Sequence, residues 1–235
     1  MVNRLERNKI LQRERELIVD YPEVKLLPTT HVLKHSLIEH DINEMRSVDT
    51  KSDEFRRLVD VITSLLFYEA TKDLPLEEYV VETPICYTIG KRIAGKKQVL
   101  VPIERSGNAM EEPAKNIIRK SQTGFLGLYR DEKTLIPHEY YCKMPEDIES
   151  SIAFILDPMF ATGGSADNAI TRLKKLGCKT IRFLCIIAAP QGVDLIQRKH
   201  PDVEIYIAQL DKGLNKDGYI VPGLGDAGDR IYGTK

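Results

Sequence analysis

Asp157, Thr162, Gly163, Gly164 and Ser165 sit close together in the chain, and residues of these types at this spacing suit one kind of chemistry. Backbone N–H groups at a helix start, left open by glycines, bind an anion through hydrogen bonds and the positive end of the helix dipole. Thr162 and Ser165 add hydroxyl donors. Asp157 repels a phosphate but suits sugar hydroxyls or a Mg²⁺ ion. A phosphate carrying a ribose fits the set. No Lys follows the glycines, so this is not a Walker loop, and Gly163-Gly164 lacks the G-x-G-x-x-G spacing of a dinucleotide fingerprint. The plainer alternative is a tight strand-to-helix turn whose Gly and Thr only cap the helix.

Two arginines extend the pattern. Arg105 follows the apolar run Val99-Leu100-Val101-Pro102-Ile103, and Arg130 follows Gly124-Phe125-Leu126-Gly127-Leu128-Tyr129. A guanidinium at a strand end can fork around a pyrophosphate. Either one alone could be a surface charge; three strand ends in one sheet make a shared polyanion pocket the better account. The stretch Tyr219 to Lys235 holds Gly223, Gly225, Gly228 and Gly233, and reads as a loop ordered by packing or by ligand, since so much Gly cannot hold a helix or strand by itself. Tyr219, Ile220, Val221, Leu224 and Ile231 in it call for burial.

These residues need elements to position them. Ile152–Leu156 reads as a buried strand broken by Asp157 and Pro158, and Ala166–Leu176 as a helix with Ala166, Ala169, Ile170, Leu173 and Leu176 on one face. Thr180–Ala188 and Val203–Ala208 read as strands, with Gln191–Lys199 a helix between them. Met110–Lys120 reads as a helix, as does His31–Met45. Ser52–Thr71 is the clearest helix, with Ser52 as candidate cap. Residues 79–93 suggest a hairpin or arm around Pro84 and Gly90. Alternating strands and helices imply a mainly parallel sheet covered on both faces, with ligands beyond the carboxyl ends of its strands. Residues 1–27 form an extension: Leu5, Ile10, Leu11, Leu17 and Ile18 suit a short amphipathic helix packed on the domain or on a second subunit, or else a mobile tail. Residues 28–235 form the single domain.

The totals narrow the function classes. A hydrophobic fraction of 42% over 235 residues supports a full core. A net charge of −1, from 34 basic and 35 acidic residues, offers no global basic field for nucleic acid or an anionic membrane. No apolar run approaches the roughly 18–20 residues of a membrane helix. The charged N-terminus lacks a signal-peptide core, and its glutamates speak against a mitochondrial presequence. Cys86, Cys142, Cys178 and Cys185 form no C-x-x-C pair, so reduced thiols and a cytoplasmic setting are expected. His31, His35 and His40 lack a carboxylate or Cys to complete a ligand set, so no resident metal site is expected.

Asp157 to Ser165 resembles the phosphoribosyl-pyrophosphate loop of phosphoribosyltransferases, in the version found in the uracil phosphoribosyltransferase family. Tyr219-Ile-Val-Pro-Gly-Leu-Gly-Asp-Ala-Gly-Asp-Arg230 is similar to that family's uracil segment. Tyr68-Glu69-Ala70, Tyr129–Thr134, Ala188–Gly192 and Asp211–Asn215 agree in order, so the resemblance runs from about His31 to the end. It implies an α/β, type I phosphoribosyltransferase-like fold: a mainly parallel sheet flanked by helices, with a small hood or β-arm and here an N-terminal helical extension. It implies transfer of the 5-phosphoribosyl group from 5-phospho-α-D-ribose 1-diphosphate (PRPP) to uracil, giving UMP and pyrophosphate, with Mg²⁺ as cofactor. Arg105 and Arg130 would bind the pyrophosphate. Asp157, Pro158, Met159, Phe160, Ala161, Thr162, Gly163, Gly164 and Ser165 would hold the ribose and 5′-phosphate. Ile220, Gly225, Asp226 and Ala227 would hold uracil, largely by backbone groups that match its acceptor–donor–acceptor edge and reject cytosine. Asp226 would also contact the ribosyl donor or its Mg²⁺, and is the nearest candidate for a general base. The resemblance further implies a homodimer or higher homo-oligomer and admits GTP as an allosteric purine nucleotide. A cis peptide is expected after Arg105. Glu104 departs from the pattern, which has Leu or Val there. It either turns inward to pair with Arg105 and weaken donor binding, or turns out without effect. A non-catalytic nucleotide-binding regulator on the same fold is the alternative function.

Overall fold

The computed structural model describes residues 4–130 and 137–234, and of residues 128–130 and 137–139 the backbone alone. A seven-stranded parallel sheet carries the architecture. Its strands are β1 (Thr30–Val32), β4 (Gln98–Pro102), β5 (Gln122–Thr123), β8 (Ile152–Leu156), β9 (Met159–Phe160), β10 (Thr180–Ala188) and β11 (Glu204–Leu210). The order is β1-β11-β10-β8-β4-β5, with β9 beside the end of β10. Three two-stranded antiparallel pairs stand apart from it: β2 (Leu76–Glu82) with β3 (Tyr87–Ile93), β6 (Phe125–Arg130) with β7 (Pro137–Lys143), and β12 (Gly213–Leu214) with β13 (Ile220–Val221). The α-helices are α1 (Arg4–Leu17), α2 (Ser36–Arg46), α3 (Ser52–Ala70), α4 (Glu111–Ile117), α5 (Gly164–Lys175), α6 (Pro190–Lys199) and α7 (Ala227–Tyr232).

The period-2 alternation of the strands divides the core into two layers. Leu100, Phe154, Leu156, Leu184 and Tyr206 face one side, against α2, α3, α4 and α7. Val99, Val101, Ala153, Ile155, Phe183 and Ile205 face the other, against α5 and α6. Both faces being covered, β8 is buried at every residue, as its unbroken apolar run requires. α3 drives Phe55, Leu58, Val59, Ile62, Leu66 and Phe67 onto the sheet, and Phe67 meets Phe154 with ring centroids 4.8 Å apart.

Several sequence expectations need correction. His31 and Val32 are strand rather than helix, because the parallel register with Tyr206 and Ile207 claims them. Ser52 begins α3, but Lys51 is the N-cap and no side chain caps the helix. The Met110–Lys120 helix shortens to α4 behind a 3₁₀ turn, Ser106–Met110. β6 leaves the central sheet after one bridge, Ile103 to Leu126, and pairs with β7, so Arg130 ends a ribbon rather than a central strand. The Gly-rich end is not all loop: β13 pairs with β12, and α7 forms because Asp226 accepts the Asp229 N–H at 3.0 Å while Gly233 takes a left-handed C-terminal turn (φ 67°). None of the helices of the described residues is long and apolar enough to cross a membrane.

Candidate active site

The carboxyl ends of β4 and β8, the start of α5 and the segment around β13 and α7 enclose a cavity of about 350 Å³. Asp157, Met159 to Ser165, Ile220, Gly225, Asp226 and Ala227 all line it, so the donor loop and the acceptor segment expected from sequence share one space.

The anion end is built by α5. Gly163 caps this helix in a left-handed conformation (φ 87°), and a Cβ there would come within 3.0 Å of Leu195 and 3.2 Å of Gly192. Only glycine takes both the turn and the contact. The N–H groups of Gly164, Ser165 and Ala166, in the first turn of the helix, have no carbonyl a turn below them and adjoin the cavity. Asp157 is 8% exposed at the mouth of β8, and its Oδ1 accepts the Met159 N–H at 3.2 Å. That bond turns the chain through Pro158 so that Met159 and Phe160 rejoin the sheet beside Ile187 and Ala188. Burial pushes the thiol of Cys185 well above its usual range, and the Asp157 charge adds to the shift. That thiol is an inert core group.

The acceptor end is held by two arginines: Arg46, which sequence reasoning missed, and Arg230, which ended the matching segment without a role read for it. Arg46 of α2 forks onto buried Asp211 (2.6 and 2.9 Å) and donates to the Gly223 carbonyl at 2.7 Å. Asp211 also accepts the Gly223 N–H at 2.9 Å. Arg230 donates to the carbonyls of Met45, Leu224 and Ser47, with its guanidinium 4.5 Å from the Phe55 ring centre. Asp211 lay in a stretch that matched the family pattern. Arg46 gave no local signal, because its partners lie 165 and 177 positions away.

The donor end departs from expectation. The cis peptide joins Glu104 to Arg105, not Arg105 to Ser106. Glu104 lines the cavity, while Arg105 does not. Glu104 accepts a hydrogen bond from the Tyr140 hydroxyl at 2.6 Å, which raises the Tyr140 pKa. Arg105 instead donates to Asp229 at 3.1 Å and lies 5.9 Å from the Tyr232 ring centre. The Tyr232 hydroxyl donates to the Arg105 carbonyl at 3.1 Å. Gly107 is forced: a Cβ would sit 2.3 Å from the Leu156 carbonyl oxygen, where the donor turn packs on β8. Arg130 closes β6, and its side chain lies outside the described residues, as does the segment 131–134 of the matching stretch. Ser106, Asp217 and Gly218 also line the cavity and were not singled out from sequence; Tyr219 and Gly228 of the segment resembling the uracil loop line it too, and Tyr219, expected to be buried, is 53% exposed.

Among the described lining residues there are four carboxylates, Glu104, Asp157, Asp217 and Asp226, and no Lys or Arg. No group of three or more His, Cys, Asp or Glu among the described residues could alone hold a metal ion. Carboxylate oxygens with no His or Cys beside them suit a Mg²⁺ that arrives with substrate phosphates and keeps its waters, rather than a resident ion in a protein cage.

Comparison with known proteins agrees with this geometry. A family profile described as uracil phosphoribosyltransferase matches residues 32–234. A uracil phosphoribosyltransferase of Bacillus licheniformis is 54% identical over 205 residues, covering 87% of this chain and 98% of the relative. One of Clostridium botulinum is 51% identical over 203 residues, 86% of this chain and 97% of its own. The solved structure of an Aquifex aeolicus protein superposes with a TM-score of 0.82 at 39% identity, covering 86% of this chain and 97% of that one.

Proposed function

The chain belongs to the uracil phosphoribosyltransferase family, and from that premise we propose how this cavity moves the 5-phosphoribosyl group of PRPP onto uracil. The observation that carries the reading is that Asp157 with Met159 to Ser165, and Ile220 with Gly225 to Ala227, more than fifty residues apart in sequence, line one cavity. The 5′-phosphate sits at the start of α5, on the N–H groups and hydroxyls of Thr162 to Ser165. Asp157 takes the ribose hydroxyls. Uracil lies against Ile220 and Gly225 to Ala227, read by main-chain groups. Binding energy from the fixed phosphate and the fixed base aligns C1′ with uracil N1.

In the reaction the C1′–O bond to pyrophosphate breaks, C1′ bonds to N1, and the N1 proton leaves. Negative charge grows on the pyrophosphate. Arg105 stabilises it by leaving Asp229 for the cavity, and Arg130 is the second arginine assigned to it by the resemblance. Mg²⁺, when bound with PRPP, neutralises pyrophosphate charge that the described wall does not. Asp157 and Asp226 are the residues that would hold it. Asp226 is the carboxylate beside the base segment and the acceptor for the N1 proton.

The transferase unit is residues 28–235, with 1–27 added to it. Its working form is a homodimer or higher assembly. Support comes from the β2–β3 hairpin, which exposes Val80, Ile85, Tyr87, Ile89 and Ile93 to solvent. The cytoplasm is the fitting compartment, since all four cysteines are free thiols. Titration with UMP tests the site. Native protein should bind it, and Ser165→Ala should weaken it by about tenfold through one lost charge-assisted hydrogen bond. Unchanged affinity would remove the phosphate from this loop.

A further inference from the structure

Part of what holds the base segment comes from outside the matched region, which begins at residue 32. After α1 the chain runs extended, and Val19 donates its N–H to the Leu214 carbonyl at 2.8 Å. Leu214 pairs with Ile220 in the β12–β13 register, and Ile220 lines the cavity. At the neighbouring Gly213, a Cβ would meet the Ile18 methyl at 2.9 Å, so the missing side chain is what lets Ile18 lie on the β12 backbone. Glu14 pairs with Lys212, the residue that leads into β12. The far end of the segment is tied to α6. Tyr21 donates to Asp194 at 2.5 Å, the Leu27 N–H donates to Gln197 Oε1 at 2.8 Å, and Gln197 Nε2 donates to the Lys25 carbonyl at 3.1 Å. The segment therefore bridges a helix of the main body and the hairpin of the acceptor site.

We propose that residues 14–27 are a positioning strap for the acceptor base, with the Val19 N–H and Ile18 fixing the outer edge of the β12–β13 hairpin. This rests on the placement of uracil against Ile220 and Gly225 to Ala227. Two strands of two residues each make a marginal pair, and a further bond to the outward carbonyl of Leu214 limits their movement. α1 has no buried residue, and of the strap itself Val24 packs partly buried against the core. Loosening the strap acts on uracil and leaves PRPP, whose phosphate sits on α5, unaffected.

The test uses the full chain. Val19→Pro deletes the N–H, and Val19→Ala keeps it. Val19→Pro should raise KM for uracil about two- to tenfold, the span of one net hydrogen bond, with KM for PRPP and kcat within about twofold of native. Val19→Ala should keep the native KM for uracil, and Tyr21→Phe should shift it in the same direction as Val19→Pro by less. An unchanged KM for uracil in Val19→Pro, or equal rises for both substrates, overturns the strap. Gly225→Ala separates the two readings: if it weakens uracil while Val19→Pro does not, only the strap fails. If Gly225→Ala leaves uracil binding untouched, the base is not on this segment and both fail.

Discussion

Glu104 and Arg105 are neighbours in sequence but face different ways. The carboxylate faces the cavity and accepts from Tyr140, while the guanidinium is held by Asp229 beside Tyr232. On the proposed assignment, donor binding brings Arg105 across and accepts a negative charge on the wall. Arg105→Gln should lower kcat/KM for PRPP by about 10²–10³, the loss seen when one preorganised donor is removed. Glu104→Gln should lower KM for PRPP by about fivefold, because it removes a like charge worth about 1 kcal/mol at a partly solvated site. Steady-state kinetics with each substrate varied checks both. A rise in KM for PRPP in Glu104→Gln would mean that the carboxylate helps to hold the donor complex. Neither orientation was legible in the sequence, since Arg105 turns towards a residue 124 positions away and Glu104 towards one 36 positions away.

At the scale of elements, what could be read locally was read. The run Ile152–Leu156, the break at Asp157-Pro158 and the glycines at 163 and 164 carry strand, turn and helix start within their own spacing, and the structure has all three. The twelve-residue segment from Tyr219 announced its chemistry but not its form. Its short helix depends on the Asp226 cap and on Arg230, which reaches back to α2 and the turn after it. His31 failed as helix because only the β1–β11 register, with residues 205–207, makes it strand. The donor turn belongs to this scale as well. Gly107→Ala places a Cβ 2.3 Å from the Leu156 carbonyl, a clash that backbone alone can relieve. It should cost about 1–3 kcal/mol of stability, as overpacking does, and should raise KM for PRPP more than for uracil. Denaturant melts and kinetics on the same variant give both numbers. A native KM for PRPP would show that the turn can move without harm to the donor site.

In the whole molecule, Arg182 of β10, which is 6% exposed, joins the central sheet to the end of α3. It donates to the Ala70 carbonyl at the end of α3 and forks onto Asp73, with both bonds to the carboxylate at 2.7 Å. The hydrogen bonds from Arg182 hold the Asp73 carboxyl below its usual range. A depressed folded pKa gives stabilisation that is complete above the unfolded value of about 4 and is lost as pH falls through the folded value. Asp73→Asn should therefore melt below native at pH 7, and the gap should close as the pH is lowered from about 5 towards 2. A gap that is constant with pH would show that the pair does not titrate as a unit. The fold carries the cavity beyond the carboxyl ends of β4 and β8, where Asp157, the start of α5 and the segment around Gly225 to Ala227 meet. If these three parts act as one two-substrate site, the full chain incubated with Mg²⁺, PRPP and uracil releases UMP and pyrophosphate in equal amounts, and gives no product when cytosine replaces uracil. Measurable UMP binding with no UMP formed would show that they do not.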